Sequence, residues 1–128
     1  MAPHSREKKE VEFGLAANGI AGIETSLSVS LAAHRAGELS LATIVAALTT
    51  GPARLLGIAA AGVTPGAVAS LVQIDLAATW RPSRETLLGR SINTPLLERQ
   101  LRGVVRLTVL EGRQAYKRYV AKCATIVP

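Results

Sequence analysis

Aromatic side chains are nearly missing from this sequence. Phe13, Trp80, Tyr116 and Tyr119 are the only ones among 128 residues, or 3%. Stacking platforms for nucleic-acid bases are therefore almost excluded, and any core must be built from Ala, Leu, Val and Ile. Cysteine is equally scarce. The lone Cys123 excludes an internal disulfide and fits the reducing conditions of the cytoplasm. No His lies within eighty residues of it, so a small apolar filler near the terminus is preferred to a nucleophile. Two histidines, His4 and His34, are the full complement, with no His-x-His pair. A catalytic zinc needs about three protein ligands in one geometry, so none is expected for this chain alone. Long apolar runs are absent too. The stretch 58–71 is broken by Gly62, Pro65 and Gly66, and Arg6, Lys8 and Lys9 precede no apolar segment. Neither a membrane span nor a signal peptide is expected.

What is present is one domain's length of mostly aliphatic sequence. Hydrophobic residues make up 48% and charged ones 19%, which excludes a disordered chain. The net charge is +6, and from Arg81 onward ten Lys/Arg face three Glu. A basic excess can mark a nucleic-acid binder. Here the basic residues stand singly between apolar ones and match no recognition motif, so they read as a solvated surface.

In order along the chain, residues 5–13 form a charged loop, and Gly14 and Gly19 bracket Leu15-Ala16-Ala17-Asn18 in a second loop. A helix is predicted from about Ile23 to Ala36, with Ile23, Leu27, Leu31 and His34 on one face and Gly37 as its stop. Glu24 in its first turn complements the helix dipole. His34 is expected to be partly buried with a local hydrogen bond. A second helix begins at the cap Ser40, carries Leu41, Ile44, Val45 and Leu48 on one face and stops at Gly51. A short third helix has Pro52 at its first position and Gly57 at its close. Arg54 is expected to bond neighbouring carbonyls rather than an anion. Past a turn-rich linker at 62–66, Ser70–Asp75 reads as a strand, 81–103 as irregular, and 105–116 as a hairpin turning at Glu111-Gly112.

Several phrases then fall into a familiar order. They are Ala2-Pro3-His4, Gly19-Ile20-Ala21-Gly22-Ile23-Glu24-Thr25, Pro52-Ala53-Arg54 with Gly57, and Ser91-Ile92-Asn93-Thr94-Pro95. Together they resemble the end of the dihydroorotases, zinc amidohydrolases of pyrimidine synthesis, over about residues 2–116. Two positions depart from the family pattern: Ser70 replaces an aspartate, and Asn18 replaces a bulkier apolar residue or proline. Met1 stands where the family has the first histidine of Asp-His-Ala-Pro-His, so the catalytic aspartate is expected upstream of this sequence.

The resemblance implies an α/β fold: the C-terminal part of a TIM-barrel amidohydrolase, with its last loop and helices, plus part of the small flanking β domain. Residues 1–58 would end the barrel and residues 59–128 would form the β-rich unit. An eight-fold barrel takes about 250 residues, so 128 cannot be a whole enzyme of this type. The implied reaction is the reversible hydrolysis of dihydroorotate to N-carbamoyl-aspartate, with zinc as the family's cofactor. The chain by itself is expected to be inactive, with no catalytic residue and no metal ligand of its own. The resemblance assigns His4, Asn18 and Gly19 to substrate binding, His4 through the substrate carboxylate and the Asn18-Gly19 pair through its backbone. The alternative, that they are plain loop residues, stays open. A second implied role is a non-catalytic scaffold for aspartate carbamoyltransferase. Uncovered barrel-facing surfaces would also favour self-association. Nucleic acid and membrane are not expected as partners.

Overall fold

The computed structural model describes residues 6–60 and 62–118. His4 and Cys123 lie outside that range. The elements run α1 (Ser26–Arg35), α2 (Leu41–Leu48), α3 (Thr50–Leu56), β1 (Leu71–Trp80), β2 (Leu101–Leu110) and β3 (Arg113–Lys117), after two single 3-10 turns at Arg6–Lys8 and Phe13–Leu15. The described residues thus form a mixed fold with three helices leading into a three-stranded antiparallel sheet of order β1-β2-β3. Among the described residues no helix is long and apolar enough to cross a membrane.

The helix ends obey local chemistry. Ser40 Oγ accepts the Thr43 N–H at 3.0 Å and so caps α2. At the end of α1 the Glu38 N–H reaches back to Ala33 O, and after α3 the Ile58 N–H reaches Ala53 O, both at 3.0 Å. Gly37 and Gly57 supply the left-handed residue that this closure requires. Pro52 falls in the first turn of α3 but not at its first residue, because the helix starts two residues earlier at Thr50. A proline is tolerated there, since first-turn N–H groups have no intrahelical partner. Helix α1 is shorter than its periodicity predicts. Residues 23–25 form a turn, and Ile23, expected on the buried face, is 85% exposed. The positions that α1 buries are Ser28 and Leu31. His34 behaves as expected, of intermediate exposure, with Nδ1 2.9 Å from Leu39 O. Arg54 does not: its side chain is exposed on α3 and makes no hydrogen bond among the described residues.

Both long strands exceed their predicted lengths. β1 continues past Asp75 to Trp80, and β2 begins at Leu101, inside the stretch expected to be irregular. Two irregularities in the ladder hid this extension. Register shifts fall between Gln73 and Ile74, and between Asp75 and Thr79, so simple alternation fails in both strands. Asp75 repairs the second break. Its Oδ1 accepts the N–H groups of Ala77 and Ala78 at 3.1 and 2.9 Å, while Oδ2 pairs with Arg106 of β2 at 2.9 Å. The β2–β3 hairpin turns at Glu111-Gly112 as expected, with φ of 49° and 78°. Two consecutive positive φ values match the twist of the strands they join.

Helix α1 lies across β2 at Gly103. This glycine has φ +92°, and an added Cβ would overlap the Leu31 Cδ1 methyl. Ser28 Oγ donates to Gly103 O at 3.2 Å and accepts the Trp80 indole N–H at 3.0 Å. One buried hydroxyl therefore joins α1, β1 and β2. Among the described residues, Leu31, Ile44, Ala53 and Val104 are the buried hydrophobic ones, with Pro82 fully enclosed. This is a small core for the chain's size. The accessible surface is 10154 Å², against about 6,500 Å² for a compact monomer of 13.4 kDa. Full exposure of the sixteen residues outside the described range would account for only about 2,500 Å² of the excess. The remainder is uncovered surface of the described elements.

Candidate functional site

A cleft of about 830 Å³ opens between two loops that are far apart in sequence. One wall is the segment from Asn18 to Ser26, entering α1; the other holds Leu87, Gly89, Arg90, Ser91 and Asn93. Gly19 sits on the first wall at φ +96°, a conformation that suits glycine, and nothing lies within 4 Å of where a Cβ would project. The N–H groups of Asn18, Gly19 and Ile20 have no acceptor among the described residues. Such a run of free backbone donors suits a small anion or a carbonyl oxygen.

The carbonyl side of the same loop is firmly held. Lys9 donates from Nζ to Gly19 O at 2.6 Å and also to Ala17 O. Asn93 Nδ2 donates to Gly19 O at 3.2 Å, and the Ala21 N–H donates to Asn93 O at 2.8 Å. Glu24 crosses between the walls. Its Oε2 accepts the Leu88 N–H and its Oε1 the Gly89 N–H, each at 2.9 Å. The loop thus turns the Gly19 carbonyl toward fixed donors and leaves the N–H groups of Asn18, Gly19 and Ile20 without an acceptor among the described residues.

The structure brings Asn18 and Gly19, both assigned to substrate binding from the sequence, onto one wall of this cleft. His4 lies outside the described residues. Glu24, Asn93 and Arg90 were not singled out as site residues. The Asn-Thr-Pro phrase identified the loop that holds Asn93, but its partner lies 74 residues away, beyond the reach of any local spacing. Glu24 fitted a helix-dipole role so well that its long-range bonds left no further trace in the sequence.

The described residues do not fit a catalytic zinc. No group of three or more His, Cys, Asp or Glu stands together among them, and His34 has its Nδ1 on a backbone carbonyl.

Comparison with known proteins gives a consistent picture. No family model matches the chain. A curated dihydroorotase of Geobacter metallireducens is 39% identical over 117 residues, covering 91% of this chain and 28% of that protein. The dihydroorotase of Anaeromyxobacter dehalogenans is 44% identical over 112 residues, with 88% and 26% covered, and that of Pelobacter propionicus is 38% identical with 91% and 28%. The chain spans little more than a quarter of the length of these curated relatives, the extent that a C-terminal portion would give. By sequence the chain is similar to the dihydroorotases over about nine tenths of its own length and matches about a quarter of theirs, consistent with a C-terminal portion.

Proposed function

We propose that this chain supplies the substrate-facing rim of a dihydroorotase-type cyclic amidohydrolase, which interconverts dihydroorotate and N-carbamoyl-aspartate. In this reading residues 1–58 form the end of a TIM barrel, with its last rim loop and helices, and residues 59–128 form most of the small β-rich unit beside it. The free N–H groups of Asn18 and Gly19 hold the substrate backbone-first, and His4 binds its carboxylate. Zinc, the family's cofactor, supplies an activated hydroxide and a polarised carbonyl when bound. Its ligands and the catalytic aspartate would come from the rest of the family's polypeptide, so the chain alone is inactive.

The observation that carries the reading is the cleft: the loop singled out by the Gly19–Thr25 phrase forms one wall, and the Ser91–Pro95 phrase contributes to the other. Two motifs about seventy residues apart meet at one place. The test is a chimera in which the matching 117 residues of the Geobacter metallireducens enzyme are replaced by this chain's own. Turnover of dihydroorotate by the chimera is the expected result. A folded, zinc-loaded chimera without turnover would overturn the reading.

A further inference from the structure

Two independent contacts join the walls of the cleft, and both end on the loop that carries the free N–H groups. The first is Glu24, whose two carboxylate oxygens each take one backbone N–H, from Leu88 and from Gly89. Bonds to a charged acceptor are about twice as strong as neutral ones, and two on one carboxylate also fix direction. Gly89 is fitted to this arrangement, because an added Cβ would stand 2.9 Å from Glu24 Oε1. The second contact is Asn93, which donates from its side chain to Gly19 O and accepts from the Ala21 N–H. Neither wall belongs to a helix or strand where these contacts are made, apart from the turn that leads into α1.

We propose that Glu24 and Asn93 are positioning residues that set the orientation of the Asn18-Gly19 N–H groups. Glu24 holds the 87–93 loop against the rim. Asn93, carried on that loop, fixes the Gly19 carbonyl, hence the peptide plane that carries the Ile20 N–H, and so anchors the adjoining Asn18 and Gly19 N–H groups on the cleft wall. Neither side chain touches the ligand in this arrangement; both act through the rim. The ligand side of the proposal rests on the dihydroorotase reading, whereas the clamp itself does not.

The experiment is amide hydrogen exchange by NMR on the full chain and on E24Q and G89A, with N-carbamoyl-L-aspartate added as probe. Glutamine keeps the size of Glu24 but offers one acceptor oxygen in place of two. The Leu88 or Gly89 amide is expected to exchange about tenfold faster or more in E24Q. The decisive reporter is Ala21, whose N–H is bound by Asn93 O: its exchange should rise as well, while amides of the β1–β2 ladder keep their rates. G89A should reproduce the Ala21 effect in the natural background and add nothing in an E24A background, because the two changes break the same contact. An Ala21 amide indifferent to both variants would overturn the clamp, and so would a uniform rise across the ladder. With the probe, shifts at Asn18, Gly19 and Ile20 that weaken in E24Q would support the positioning role, and shifts of unchanged affinity would overturn it. If the unaltered chain shows no shift with the probe, the ligand assignment fails, and the clamp is still judged by Ala21.

Discussion

Ser28 shows how much of this fold rests on single atoms. Its hydroxyl satisfies the Gly103 carbonyl and the Trp80 indole while buried between helix and sheet. Ser28→Ala should leave both groups unpaired and lower stability by about 1–3 kcal/mol, measured by denaturant unfolding. Gly103 is constrained twice, by φ +92° and by the Leu31 methyl above it. Gly103→Ala should therefore cost more, about 2–4 kcal/mol, through backbone strain and overpacking together. In a Leu31→Ala background the added cost of Gly103→Ala should shrink to the backbone-strain part. His4 is a different kind of residue, with its expected effect on ligand rather than fold. In the active chimera, His4→Ala should reduce kcat/KM roughly ten- to hundred-fold, the worth of a charge-assisted hydrogen bond. Metal content should be unchanged, and a loss of zinc would make His4 a ligand instead.

Among the elements, the β1–β2 ladder depends on the Asp75–Arg106 pair. The Asp75 carboxyl is held below its ordinary value of 3.8, first by the hydrogen bond from Arg106 and then by the Ala78 N–H. A depressed carboxyl contributes stability that is fully present above its unfolded pKa and is lost as pH falls through the lower folded value. The melting temperature should thus fall as pH drops below about 4, and Asp75→Asn should flatten that fall. The Arg106 and Asp75 side chains are 27% and 38% exposed, so the effect is modest and screened by salt. Rescue by salt at pH 3 would speak against this pair as the cause.

At the scale of the whole molecule, the uncovered apolar surface dominates. On α2 only Ile44 is buried, while Val45 is 52% exposed, and Leu55 of α3 is 90% exposed. β1 is an edge strand with Leu71, Val72, Ile74 and Leu76 open to solvent. Surfaces of this kind seek another polypeptide. The chain is expected to associate with itself or a partner at micromolar concentration, and Val45→Lys with Leu55→Glu should reduce that association. Light scattering that showed a stable, cooperatively folding monomer would refute this.

Local chemistry settled much of the helical half in advance. The Ser40 cap, the glycine stops at Gly37 and Gly57, the His34 bond and the Glu111-Gly112 turn all act within five residues, so the sequence carries their full cause. The two site phrases were legible for a different reason: they are short strings that resemble those of the dihydroorotases. Other features needed the folded chain. Leu31 was expected on the buried face of α1, but that Ser28 joins it there depended on its bonds to Gly103 and Trp80, and the lengths of β1 and β2 depended on bulges repaired across the ladder by Asp75 and Arg106. The cleft itself exists because Glu24 and Asn93 bridge 64 to 74 residues of sequence. Periodicity records what a residue does within its own element, and these contacts are made between elements, where only tertiary packing decides which atoms meet.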